Sequence, residues 1–540
     1  MRWAASIGAL LAGFLLCAGV HAEPANGSLY CAAEDAQLDP HRQLRAWSLD
    51  LRGSLPTAEE HTLVDAVGGI PEGLLDEWLA SPEFAQRVVR LHRGLLWNNV
   101  ENVNLLNGKT NLHLNDGSPA LWRTNPAVSY RGASVPCLNE PAEWDEYGAI
   151  MTTDMGGGVQ REGWVWVSPF WAPSTVARVC AFDAQEALIT ASGTDCSTLE
   201  GYDDVACGCG PELRYCRRYP YSLEVRKAFA GDVDRRIAGL IEEGRSYLDL
   251  FLDDRAHVNG PMVHYLKHQA KLATNTRIDP APIPHALLPD LDFMDKEFVE
   301  ISLPAHHAGI LSSIAFLIRF QTNRARANRF YNAFLCQPFQ PPSMECEEDE
   351  EALEDEEECE AGLPVDDEVS ALEADLQKRD GCKYCHGILE PAASYWGRWT
   401  EQGAGYLDPA EFPPLSSDCQ ACAETGINCS DACKRYYLVN PLSVSELPFL
   451  GWLKGYVFRH EEHYDHVEVG PRLLAMGSVV DHKLPRCVAR TAVQWLLGRE
   501  VDATEEAWVE ELAYRFASGG YHYGDLVRMI VMSRTYRRVR

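Results

Sequence analysis

A chain of 540 residues with 79 acidic against 48 basic side chains carries a formal net charge of −31. That length makes roughly two to four domains and allows a sizeable core, and a hydrophobic share of 46% is ordinary for a globular protein. So large an excess of negative charge excludes simple electrostatic binding to nucleic-acid backbones or anionic membranes, and suits a basic protein partner or cations.

Residues 1–22 read as a signal peptide. Arg2 gives the positive start, Ala4 to Ala18 form an apolar run too short to span a bilayer, and Val20-His21-Ala22 offers a small-residue cleavage site before Glu23. A lipoprotein anchor at Cys17 is the weaker reading, because Leu16 stands where a small residue is expected. No later segment is long and apolar enough for a transmembrane segment. The expectation is an exported protein of the periplasm or cell surface, in which disulfides are the default for most cysteines.

Residues 23–110 read as an N-terminal helical domain. Phe84, Val88, Leu91 and Leu95 recur at helical spacing, with Ser81 as the cap and Pro82 in the first turn. Residues 111–220 are rich in Cys, Gly and Trp and read as an insertion of loops and short strands pinned by Cys137, Cys180, Cys196, Cys207, Cys209 and Cys216. Helical periodicity returns in a central domain, 221–344. There His306 and His307 precede an apolar helix, as capping or core-edge groups. Residues 345–376 read as an acidic loop or linker. Within it, 345–360 carry 12 acidic side chains and no basic one, a self-repelling solvated run closed by Cys346 and Cys359 as a candidate disulfide. Weak divalent-cation binding is the sharper alternative there, without EF-hand spacing. Residues 377–483 form a further segment, read as Cys-rich loops over 381–435. The end, 484–540, is helical, with Trp508, Leu512 and Phe516 and then Leu526 and Ile530 on core faces. There is no internal repeat, so the fold class is mainly α and multi-helical.

The string Cys382-Lys-Tyr-Cys385-His386 carries the chemistry. Two thiols two residues apart can add to the two vinyl groups of one haem, and the next histidine is then held under the iron as an axial ligand. The expected cofactor is covalent haem c at Cys382, Cys385 and His386, with His386 as the metal ligand. A thioredoxin-like redox pair fits less well, since no strand–helix unit flanks the motif. With Cys17 removed and two thiols committed, 15 of the 18 cysteines remain, an odd number, so at least one is free or bonded elsewhere. Cys419-x2-Cys422 is followed by Ala423 and is not a haem site. With Cys429 and Cys433 it makes a candidate pair of disulfides, or a zinc site as the less favoured reading. Candidate sixth iron ligands are Met476 and His460, His463 and His466. The three histidines are spaced by three and read chiefly as exposed polar groups. No G-x-S-x-G, H-E-x-x-H or Walker string is present, and catalytic residues are not identified.

Several strings together resemble the planctomycete-type cytochrome c-associated exported proteins, whose domains have no defined function. They are LDLRGSLPTAEE (49–60), LASPEFAQRVVRLHRGLLW (79–97), YLDLFLDDRAHVNGPMVHYL (247–266), HAGILSSIAFLIRFQTNRARANRFYNAFLCQPFQPP (307–342), CKYCHGILEPAASYWGRW (382–399), LPRCVARTAVQWLLGRE (484–500) and FASGGYHYGDLVRMIVMSRTYR (516–537). They occur in the family's order along the chain. The family's Ile-Asp-Pro after the haem motif is here Leu389-Glu390-Pro391, and residues 111–220 and the acidic loop have no counterpart. The resemblance implies an exported, helix-rich, haem-associated protein. The expected function is electron transfer with a protein redox or assembly partner. The alternatives are a surface or structural assembly protein without redox activity, and a haem-dependent oxidative enzyme.

Overall fold

The structure, a computed structural model, describes residues 38–537 apart from 106–107, 115–117, 125–130, 132–134, 219–220, 274, 340–382, 443 and 457–459. The expected signal segment, the acidic run with Cys346 and Cys359, and Cys382 lie outside the described residues.

The first helices start where their caps dictate. Asp39 accepts from the His41 and Arg42 amides to open α1 (Pro40–Leu51). Thr57 and Glu60 close a reciprocal capping box on α2 (Ala58–Val67). After α3 (Glu72–Leu79), Ser81 accepts from the Phe84 amide at 3.1 Å and α4 (Pro82–Leu96) follows. This is the helix read from Phe84, Val88, Leu91 and Leu95. Phe84 and Val88 are fully buried, and Leu91 and Leu95 pack at the core's edge.

Residues 111–220 hold short antiparallel pairs: β1 (Leu112–His113) with β2 (Trp122–Arg123), β3 (Thr153–Asp154) with β4 (Gln160–Arg161), and β5 (Trp164–Val167) with β6 (Ala177–Cys180). One short helix, α5 (Leu199–Asp203), follows. Such small sheets cannot stabilise themselves. Three disulfides hold them, Cys137–Cys180, Cys196–Cys207 and Cys209–Cys216. A buried ionic cluster joins them: Asp183 pairs with Arg123 at 2.9 Å and with Arg131 at 2.7 Å, and Glu162 lies 2.8 Å from Arg131. Burial pushes Glu162 up to about 7 against the pull of Arg131.

The central region carries α6 (Tyr221–Glu242), α7 (Asp249–Leu252), β7 (Arg255–Val258), α8 (Gly260–His268), β8 (Val299–Ser302), α9 (Ile314–Arg319) and α10 (Asn323–Leu335). It is less helical than its periodicity implies: β7 pairs with β8, and most of the chain between α8 and α9 is irregular. Its prolines at 280, 282, 284 and 289 lack the amide that a helix or ladder needs.

Residues 381–435, expected as loops, instead hold α11 (Lys383–Ala393), α12 (Ser417–Thr425) and α13 (Asp431–Tyr436). Ser416 and Ser430 cap the last two, and the Cys spacing that suggested loops falls on helix faces. Cys419 pairs with Cys433 and Cys422 with Cys429, so these thiols are disulfides. They anchor a small separate core with Tyr437, Leu453, Tyr456 and Val467.

The C-terminal helices are α14 (Tyr464–Val469), α15 (Pro471–Val480), α16 (Lys483–Leu497), α17 (Glu506–Ser518), α18 (Tyr523–Val531) and α19 (Arg534–Arg537). They share the main core with the N-terminal helices. Trp47 donates to the Val531 carbonyl, the Tyr536 hydroxyl to Asp50 at 2.6 Å, and the Leu38 amide to the Arg537 carbonyl. On α17 the buried face is Val509, Leu512, Ala513 and Phe516; Trp508, expected among them, sits at its margin. A sixth disulfide, Cys336–Cys487, ties the end of α10 to α16 across 151 residues.

Phe84→Ala, at a closed site, is expected to cost about 3–5 kcal/mol, and Trp508→Ala, at an edge, about 1–2 kcal/mol; equal losses in denaturant unfolding would contradict this packing. Replacing both Cys336 and Cys487 with Ser is expected to remove about 3–5 kcal/mol, as the loop it closes is long. Unfolding with and without reductant checks this, since only the wild-type chain should lose that increment on reduction.

Candidate functional site

The site is built on α10 and α11, which pack along one another. Cys385 and His386 occupy the first turn of α11. Four residues on, Glu390 comes round to the same face as His386. His386 Nδ1 lies 2.8 Å from Glu390 Oε1, and Arg324 of α10 donates from Nε to the same oxygen at 2.5 Å. Glu390 is 5% exposed. The Arg324 guanidinium can only donate, so Glu390 Oε1 is the acceptor. In the neutral imidazole the proton is then on Nδ1 and the lone pair on Nε2. That nitrogen has no hydrogen-bond partner among the described residues. A carboxylate on one imidazole nitrogen that fixes the other as a donor is the arrangement metal-ligating histidines use.

Ile388, one turn on from Cys385, is 50% exposed, and the adjacent Tyr384 is 60% exposed. Pro391, inside α11, cannot donate to the Gly387 carbonyl, and the Ser394 hydroxyl takes up the Pro391 carbonyl at 2.5 Å.

Of the remaining expected ligands, the three histidines contact one another in sequence. His460 is exposed, but His463 is buried and His466 half-buried, so the reading of three surface histidines is corrected for two of them. The His463 and His466 rings stack at 5.2 Å, and His460 meets His463 edge-on at 5.6 Å. His466 also stacks on Tyr395 at 4.1 Å, with Nδ1 3.1 Å from the Ser394 hydroxyl. Met476 is an exposed residue of α15. Among the described residues, no three His, Cys, Asp or Glu side chains are grouped to hold one metal ion.

Arg324, a full partner of the site, is not signalled by the sequence: it stands 66 residues from Glu390, inside a run of arginines. A neighbour four places from the histidine is a visible signal for Glu390. Also unsignalled is a cavity of about 430 Å³ beside Glu390, lined by Arg277, Arg324, Arg435 and Lys454 among others.

Nearby histidines are structural. His307 is buried, with Nε2 2.9 Å from the Pro282 carbonyl, and His306 stacks on Tyr406 at 3.6 Å. On α4, His92 bridges the Val88 carbonyl and the Tyr247 hydroxyl. Burial holds His92, His268 and His306 down to about 4 and His264 and His307 down to about 3.

Comparison with known proteins finds no matching family model, no matching curated relative and no matching solved structure.

The five lowered histidines set a pH dependence. Each stays neutral in the fold while the unfolded chain binds a proton below its ordinary value of 6.5. Stability is therefore lost as pH falls from about 6.5 towards about 4. Glu162 acts in the opposite sense, adding stability as pH falls through about 7. The carboxyls of Asp50 and Asp249, which burial also raises, act in the same sense as Glu162, but the five histidines outnumber these three. The melting temperature at about pH 5 is expected to lie clearly below that at about pH 7, with His307→Asn flattening the slope if that variant folds. An equal melting temperature at both pH values would contradict this account.

Proposed function

We propose that the protein is an exported c-type haem protein, with haem c joined to Cys382 and Cys385 and ligated by His386, and that it exchanges electrons with an extracytoplasmic protein partner. The observation that carries this reading is His386 within its C-x-x-C-H string. Glu390 accepts the hydrogen bond from Nδ1–H and leaves the Nε2 lone pair for a metal.

Other findings agree with it. Six disulfides occur among the described residues, as suits an oxidising compartment. No helix among the described residues is long and apolar enough to cross a membrane. The resemblance to cytochrome c-associated exported proteins supports the same cofactor and compartment, and a net charge of −31 favours a basic partner.

When bound, the haem would supply a one-electron iron couple. Glu390 orients the imidazole and raises its donor strength, and Arg324 holds Glu390 in place. A stronger donor favours the oxidised metal, so this pair lowers the potential.

The protein is to be made in a host competent for cytochrome c maturation, then read by intact mass and a pyridine haemochrome spectrum. Covalent haem is expected in the wild type, and its loss or weakening in Cys385→Ala. Glu390→Gln is expected to retain haem and raise the reduction potential. A mature mass without haem would overturn the reading.

A further inference from the structure

The cavity beside Glu390 opens at the seam between the main core and the small disulfide-bonded core. Its walls come from both sides: Arg277, Arg324 and the 397–402 segment from one, Leu407, Arg435, Tyr436, Lys454 and Gly455 from the other. Two close backbone approaches shape it. A Cβ at Gly403 would stand 1.7 Å from the Arg277 carbonyl oxygen, and one at Gly455 would stand 2.2 Å from that of Gly397. Any side chain at either place would push the walls apart.

The charge balance of this lining is opposite to that of the chain. Four cations, Arg277, Arg324, Arg435 and Lys454, face two carboxylates, Glu390 and Glu401. Both carboxylates are already used: Glu390 accepts from Arg324 and meets His386, and Glu401 accepts from the Asn323 amide at 2.9 Å. Arg277, Arg435 and Lys454 have no carboxylate within ion-pair distance among the described residues, although acidic side chains outnumber basic ones 79 to 48. The three cations also repel one another. Partial burial and then Arg277 hold the Lys454 ammonium below its ordinary value, with Glu401 opposing. Cations that line one cavity without carboxylate partners give it a positive potential that attracts an anion.

We propose that this cavity binds a small organic molecule carrying two or more carboxylate or phosphate oxygens. The volume, about 430 Å³, falls in the range of small-molecule sites and exceeds the needs of a single inorganic ion. Guanidinium forks from Arg277 and Arg435 match oxyanion geometry, and Lys454 adds a mobile point charge. Trp399 and Tyr436 give apolar wall to the ligand's carbon skeleton, while Thr400 and Gln402 add polar groups. The site does not depend on the haem reading. It touches that reading only through Arg324 and Glu390, which border the cavity and also hold His386.

The test is isothermal titration of the full-length protein at low salt with citrate, glucose 6-phosphate and inorganic phosphate, each run separately. Citrate and glucose 6-phosphate distinguish a carboxylate from a phosphate ligand, and inorganic phosphate reports the charge contribution alone. Saturable binding of citrate or glucose 6-phosphate, tighter than inorganic phosphate and weakened by added salt, is expected. Lys454→Gln and Arg277→Gln should each weaken it by about tenfold. Arg515→Gln, the same charge change on an exposed residue of α17, should leave it unaltered. Lys454 is exposed and, among the described residues, hydrogen-bonds through its backbone amide and not its side chain, so its variant keeps the test valid if Arg277→Gln does not fold. Absence of binding by all three anions, or equal binding by wild type, Lys454→Gln and Arg515→Gln, would overturn the proposal. Repeating the titration on Cys385→Ala separates this result from the fate of the haem reading, because the cavity should bind with or without haem.

Discussion

The site depends on one buried guanidinium. Arg326, on the inner face of α10, is fully buried. It donates to the Phe320 and Leu317 carbonyls, to the Asn323 side chain, and to the Trp399, Thr400 and Gly403 carbonyls. These acceptors come from three stretches of chain that no sheet or disulfide joins. Burial lowers Arg326 to about 9, with Glu401 opposing, so it is still charged at neutral pH. A buried cation surrounded by carbonyl dipoles is stable only while all of them stay in place. α9, α10 and the 399–403 turn are therefore locked as one piece.

The site geometry follows from that lock. Two residues before Arg326 on the same helix, Arg324 points the other way and reaches Glu390. The turn that Arg326 grips also supplies Trp399, Thr400 and Gln402 to the cavity wall. On the far side, Arg398 donates to the Phe412 carbonyl and to Glu468, and the Tyr436 hydroxyl donates to the Asp279 carbonyl. These fasten the small disulfide-bonded core against the large one. Three arginines thus perform separate tasks: Arg326 organises backbone and Arg324, two places before it, holds a carboxylate, while the distant Arg398 joins two cores.

What the sequence made legible was local. Caps and apolar spacing announce α4, because Ser81, Pro82, Phe84 and Val88 act within one or two turns. The C-x-x-C-H string is equally local. The helix beneath it was hidden, since Gly387, Pro391 and a Cys-rich neighbourhood all argue for a loop, and tertiary packing against α10 outweighs them. Features made by distant approach were illegible. Cys336 finds Cys487 across 151 residues. Arg324 finds Glu390 only because Arg326 aims its helix, and three unpaired cations gather only when two cores meet. Burial of His463 was missed for a similar reason: a polar string reads as surface until its stacking partners are known.

The meeting of the two ends of the described chain also constrains the order of folding. α1 buries Trp47 against α18 and hydrogen-bonds Asp50 to Tyr536, so the earliest helices complete their core with residues translated nearly five hundred positions later. While the polypeptide emerges, α4 can pack on α6, but the α1 faces that meet α18 and Tyr536 wait uncovered. This is a prolonged opportunity for misassociation, and a reason for a holding chaperone to occupy those faces until the closing helices arrive.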